Sequence, residues 1–151
     1  MIDLRTFTYI DVIQPQLAGF LQTVAAGYQP LENQAACFIE ISPGMSINIV
    51  TDIALKRTSV EPGFQVVERR YGMLEFHHFD QGQVREAGEA ILKHLGLKES
   101  DRLKPTIIAS DIITGVSGYH SMLINRMRHG DFLLEGDTLY TLEMQPAAYA
   151  A

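Results

Sequence analysis

An α/β fold, one sheet with helices packed against it, is predicted by three features of this chain. Runs rich in β-branched and aromatic residues alternate with amphipathic helical stretches, the pattern of a sheet covered by helices. One run, Ala36 to Ile41, is almost continuously apolar, as expected of a strand covered on both faces. The chain also repeats itself: shifted by 103 positions, Gly27 meets Gly130, Leu31 meets Leu134, Glu40 meets Glu143 and Pro43 meets Pro146. A repeat of this kind means two like units built to pack side by side.

The elements follow in order. Leu4 to Asp11, with Thr, Phe, Tyr and Ile, reads as a first strand. Leu17, Phe20, Leu21 and Val24 recur at helical spacing, with Pro15 near the start and Gly27 placed to end the helix. Tyr28 to Ala35 is a loop, and Ala36 to Ile41 the buried strand. Ser42-Pro43-Gly44 is a strand-to-helix junction in which Ser42 caps and Pro43 takes the first helical position. The helix that follows, about Met45 to Lys56, is expected to bury Ile49, Val50 and Ile53. Glu61-Pro62-Gly63 reads as a turn. Phe64 to Val67 and Tyr71 to Phe79 are two strands, with Glu68-Arg69-Arg70 between them.

The clearest helix carries the stripe Val84, Ala87, Gly88, Ile91, Leu92 and Leu95, with Asp80 and Gln83 as a capping box and Gly96 as the terminal cap. One complete unit, residues 1–97, therefore reads β-α-β-α-β-β-α. The charged stretch ending in Pro105 is a linker over residues 98–105. Residues 106–151 repeat only the first β-α-β: a strand Thr106 to Ile113, a helix about Tyr119 to Arg128, and a strand Leu139 to Met144. The last residue is the counterpart of Asn48, so the second unit is expected to be incomplete, with an apolar sheet face left to cover.

Composition narrows the class. The chain has 151 residues, of which 20% are charged and 46% hydrophobic, as in a soluble globular protein. A net charge of −6 without a Lys/Arg stripe argues against nucleic acid. No apolar run reaches the length of a membrane span and no signal peptide is evident, which points to a bacterial-type cytoplasm or something assembled within it. The single cysteine, Cys37, lies in an apolar run and reads as a buried structural thiol.

Few residues invite chemistry. His77-His78 near Asp80 resembles a metal pair, but neighbours on a strand point to opposite faces, so solvated strand-end histidines are the expectation. Asp3, Glu40 and Asp52 show no spacing of a carboxylate pair, and Gly115 to Gly118 lacks a phosphate-loop lysine. An enzyme would have only Glu75, His77 and His78 to work with, and no cofactor is expected. Glu68-Arg69-Arg70 is different. Three charges interrupt apolar Val66-Val67 and Tyr71-Gly72-Met73. They form either a solvated hairpin tip or a ring of opposite charges around a symmetry axis.

Long segments of the chain match a known family. They include Leu4-Arg5-Thr6-Phe7-Thr8-Tyr9-Ile10-Asp11, Glu40-Ile41-Ser42-Pro43-Gly44, Thr51-Asp52-Ile53-Ala54-Leu55-Lys56, Val67-Glu68-Arg69 and Asp80-Gln81-Gly82-Gln83-Val84-Arg85-Glu86-Ala87-Gly88. In the second copy they are Leu123-Ile124-Asn125-Arg126 and Glu143-Met144-Gln145-Pro146-Ala147-Ala148-Tyr149. The chain resembles the shell proteins of bacterial microcompartments, in their circularly permuted tandem-domain subclass, with its carboxysome members. That resemblance implies a ferredoxin-like antiparallel sheet with helices against it, and flat trimeric tiles whose six domains make a pseudohexamer. It implies stacked pairs of rings and other carboxysome shell proteins as partners. It also implies a place in the carboxysome shell of a cyanobacterial-type cytoplasm. It makes Glu68 and Arg69 the gate of a central pore that passes anions such as ribulose bisphosphate or phosphoglycerate, and Lys56 a tile-edge contact. A soluble trimeric module binding small anions, or a regulatory one, is the alternative.

Overall fold

In the computed structural model residues 2–150 are described, and they form two compact units that divide between Lys104 and Pro105. The first unit runs β1 (Asp3–Ile10), α1 (Pro15–Gln22), β2 (Ala35–Ser42), α2 (Ile47–Arg57), β3 (Glu61–Glu68), β4 (Tyr71–His78) and α3 (Gln81–Leu95). This is the β-α-β-α-β-β-α order read from the sequence. Its four strands form one sheet in the order β1-β2-β4-β3, antiparallel throughout.

β2 lies inside that sheet and is covered on both faces, which is why it reads as a nearly continuous apolar run broken only by Glu40. On one side Cys37, Ile39 and Ile41 meet Ile47, Val50 and Ala54 of α2 and Val84, Ala87 and Ile91 of α3. On the other, Ala36 and Phe38 meet Ala18 and Leu21 of α1. Each large aliphatic side chain so buried contributes about 1.5–3 kcal/mol against exposure.

Several local expectations shift. α2 begins at Ile47, after a 3-10 turn at Gly44–Ser46, so its buried stripe is Ile47, Val50, Ala54, while Ile49 faces solvent and Ile53 is only partly covered. Ser42 ends β2 instead of capping a helix. α1 stops at Gln22, which leaves Val24 exposed; Gly27 serves elsewhere, since a Cβ there would lie 2.4 Å from the Pro62 carbonyl oxygen. Glu61-Pro62-Gly63 is not a turn but the start of β3, with a bulge between Pro62 and Phe64. Asp80 caps α3 by accepting from the Gly82 N–H at 2.8 Å, but Gln83 does not close a box. Its side chain accepts from the Ser59 N–H instead, at 3.0 Å. Gly96 ends α3 in the left-handed conformation, as expected. Residues 98–104 hug the first unit: the Arg102 side chain donates to the Phe7 carbonyl (3.1 Å) and the Leu103 N–H to the Arg5 carbonyl (3.2 Å).

The second unit contains β5 (Thr106–Ile113), α4 (Gly118–Arg128) and β6 (Leu139–Gln145), with β5 and β6 paired antiparallel. It copies the first in detail. Asp3 pairs with Ser42 and Thr106 with Gln145; β1 has its bulge between Leu4 and Thr6 and β5 between Ile107 and Ala109. Gln22 Nε2 donates to the Pro30 carbonyl and Asn125 Nδ2 to the Leu133 carbonyl. Asn33 and its counterpart Gly136 are both left-handed, and the peptide bonds before Pro43 and Pro146 are both cis. The cover differs. Leu4 and Cys37 are 3% and 0% exposed, and their counterparts Ile107 and Tyr140 are 61% and 57% exposed.

Candidate functional site: the β3–β4 hairpin tip

β3 is an edge strand and β4 an inner one, and the two are joined by a two-residue turn at Arg69 and Arg70. Glu68 pairs with Tyr71 at the last rung. Residues 65–70 are all exposed, so the arm carries its charges beyond the body of the unit. Among the described residues neither Glu68 nor Arg69 has an ion-pair partner within the chain. Arg69 takes a left-handed backbone, φ 49°. A side chain with a Cβ costs roughly 1–2 kcal/mol there, and glycine is the usual occupant. The turn thus keeps a long cation where local stability favours none.

The base of the arm is rigid. Gly72 packs backbone to backbone on the turn before α2: a Cβ on Gly72 would sit 2.3 Å from the Gly44 carbonyl oxygen and 2.7 Å from Ile47 Cβ. The outer strand is tied to α2 through Gln65, which accepts from Thr51 Oγ1 at 2.5 Å and donates to Asn48 Oδ1 at 2.9 Å. Arg5, the residue set apart by the β1 bulge, stands with its guanidinium 3.7 Å from the centre of the Tyr71 ring and its Nε 2.5 Å from Glu40 Oε1.

Deeper in the hairpin lies a buried polar pair that sequence reasoning missed. Glu75 and His77 are fully buried, with Glu75 Oε1 3.0 Å from His77 Nδ1, and Glu75 Oε2 accepts from the Gly63 N–H at 3.1 Å. The Glu75 carboxyl is pushed up by burial and partly drawn back by His77 and by that N–H. His77 is therefore not a solvated strand-end histidine: one turn of the strand's alternation puts it inside. His78 is half-buried, and its Nδ1 accepts from the Asp80 N–H. Among the described residues no cluster of three His, Cys, Asp or Glu side chains is placed to hold a metal ion, and no helix is long and apolar enough to cross a membrane.

Lys56 lies on α2, on the solvent side, with its ammonium 2.8 Å from Asp52 and three-quarters of its side chain exposed. Of the residues around the arm, Arg5, Glu40 and Tyr71 were not singled out together by sequence reasoning. The one available signal was Glu40, the only charge in the apolar run Ala35 to Ile41.

Residues 4–101 match the CsoS1D N-terminal domain family. The chain is 53% identical over 150 residues to the carboxysome shell protein CcmP of Synechococcus elongatus, covering 99% of this chain and 70% of that one. It is 43% identical to the carboxysome shell protein CsoS1D of Hydrogenovibrio crunogenus, covering 99% and 73%. Against the CsoS1D of Prochlorococcus marinus identity is 38%, and the chain spans 58% of that protein. Among solved structures, a fused permuted hexameric shell protein of the RMM microcompartment superposes with a TM-score of 0.89 at 44% identity, covering 98% of this chain and 73% of that one. A double-ringed trimeric shell protein of the same microcompartment superposes at 0.87 with 35% identity, covering 99% and 72%. The chain belongs to the permuted tandem-domain shell proteins of bacterial microcompartments, and within them to those of the carboxysome shell.

Proposed function

We propose that this chain is a structural tile of the carboxysome shell whose β3–β4 arm gates a central pore, with Glu68 and Arg69 at its rim. The carrying observation is the arm itself. Its charges are exposed, among the described residues Glu68 and Arg69 have no ion-pair partner, and its turn bears an arginine in a left-handed backbone. Backbone held in a sparsely populated region persists where function asks for it. Glu68 of one copy and Arg69 of the next can pair across an axis and close it, or turn aside and open it. With two arginines to one glutamate the open rim favours anions of the size of ribulose bisphosphate or phosphoglycerate.

The assembly in this reading is a trimer, since two relatives in structure are named as a fused permuted hexameric protein and a double-ringed trimeric one. Residues 106–151 are read as the first β-α-β of a second domain, on the evidence of the matched register and bulge. Lys56 is read as a tile-edge contact, because it presents an exposed ammonium on the outer side of α2. The role in this reading is structural and conductive; of the three residues an enzyme would have to use, Glu75 and His77 are buried inside the unit and His78 is half-buried at the end of β4.

Cross-linking tests the gate. Cys37 is fully buried, so Arg69→Cys introduces the only reactive thiol. If Arg69 lies at a threefold axis, a short bifunctional thiol reagent joins copies of this variant across it, while the same substitution at Thr58, on the far end of α2, leaves single chains. Native mass spectrometry showing trimers, with Arg69→Cys staying uncross-linked, would remove the gate.

A further inference from the structure

We infer that Arg5, Glu40 and Tyr71 form a clamp that sets the aim of the β3–β4 arm, and that this clamp belongs to the first unit alone. Its meaning for transport rests on the reading of the arm tip as a gate; the clamp itself rests on geometry.

β1 carries a bulge next to its start. A bulge lifts one residue out of the ladder and re-aims its side chain. Here the register shifts between Leu4 and Thr6, so Arg5 is the residue set free. It turns toward Glu40 on the neighbouring strand, with 2.5 Å between Nε and Oε1, and only 12% and 7% of the two side chains exposed. A cation held that firmly has no freedom to wander. Its flat face then lies 3.7 Å from the centre of the Tyr71 ring, well inside the range of a cation–π contact. Tyr71 is the first residue of β4 and pairs with Glu68, so the ring is one rung from the tip. Arg70 also reaches the ring, at 6.0 Å, so the cation next to the gate shares the same aromatic face-partner as the fixed one. A cavity of about 370 Å³ beside Arg5, Ser42, Arg70 and Tyr71 leaves room for the arm to tilt if the contact breaks. Arg5 is a positioning residue that acts through Tyr71.

The repeat makes the assignment sharper. β5 keeps the bulge, between Ile107 and Ala109, and β6 keeps the carboxylate as Glu143. The residue in the place of Arg5 is Ile108, which is 54% exposed. The backbone device is therefore retained in both copies and the cation in one. The bulge is thus shared by the two copies, while the cation it re-aims stands only in the unit that carries Glu68 and Arg69.

The experiment follows the arm directly. Removing Arg5 would strand a buried carboxylate and could unfold the unit, so Tyr71 is changed instead. In the full chain, hydrogen exchange of the amides of Val66 to Arg70 is measured for wild type, Tyr71→Phe and Tyr71→Leu, together with the spectrum of a spin label on Val66→Cys. Tyr71→Leu should speed exchange at the tip about fivefold and sharpen the label's spectrum, with β2 amides unchanged. Tyr71→Phe, which keeps the ring, should stay within about twofold of wild type. Equal exchange in wild type and Tyr71→Leu, or equal loosening by Phe and Leu, overturns the clamp. The two readings separate cleanly. A tip that loosens while Arg69→Cys fails to cross-link leaves the clamp and removes the gate; a tip that stays rigid while cross-linking succeeds does the reverse.

Discussion

Gly72→Ala probes the seat of the arm. The added Cβ would lie 2.3 Å from the Gly44 carbonyl oxygen, 2.7 Å from Ile47 Cβ and 3.0 Å from Ile47 Cγ2. None of these is the free end of a flexible side chain, so β4 and the turn before α2 must part. Forcing a methyl into such a site costs about 3 kcal/mol, the upper end for overpacking. Against this, alanine loses less chain entropy on folding than glycine, worth up to about 1 kcal/mol. The net loss is about 2 kcal/mol, which for a unit of this size lowers the melting temperature by roughly 8 °C or more. Gly19→Ala is the control: it sits mid-helix with nothing within 4 Å of the new methyl, and should raise stability by about 0.5–1 kcal/mol. Differential scanning calorimetry of the full chain reads both. If Gly72→Ala melts within about 2 °C of wild type, the backbone-on-backbone seat is not what holds the arm.

Other outcomes follow from the same structure. Arg69→Gly relieves the left-handed backbone and should stabilise the chain by about 1 kcal/mol in denaturant titration, while abolishing any gating charge at that position. Burial holds the Glu75 carboxyl above its ordinary value of 4.5, so the folded chain keeps a proton that the unfolded chain has lost. Stability from this group is present at low pH and falls as pH rises from about 4.5 through the raised value. Melting temperature against pH should lose that part of its downward slope in Glu75→Gln. Burial also pushes the Cys37 thiol well above its usual range, so a thiol reagent should label native protein only at the rate of global opening, and instantly in denaturant. Finally, β5–β6 repeats the β1–β2 ladder rung for rung but every residue of β5 is exposed. Its amides should exchange faster than those of β1–β2, and comparable protection in the two ladders would mean the second sheet is covered.

Much of this protein was written in periodicity. The order of elements, the doubly covered β2 and the Gly96 cap follow from side-chain spacing and backbone preference, which act within a few residues. The repeat was legible for the same reason, and the structure extends it to hydrogen bonds that no pattern shows, such as Gln22 to Pro30 and Asn125 to Leu133. Of the arm, Glu68 and Arg69 stood out as charges interrupting apolar strands. Phase was less legible. α2 turned its stripe by starting at Ile47, and His77, adjacent to the half-buried His78, went inside on the face of β4 it shares with Glu75, to which its ring nitrogen is bonded.

What the sequence determined by itself is therefore local and periodic: which segments are strands or helices, which faces are apolar, and that one plan is used twice. What only the tertiary structure decided are the meetings of distant residues. Arg5, Glu40 and Tyr71 are separated by more than thirty positions at each step, and the bulge that joins them is a matter of register between strands. Gly44 and Gly72 need each other only because two backbones touch. Register and close approach are set by the packing of the whole unit, and no window of neighbouring residues contains them.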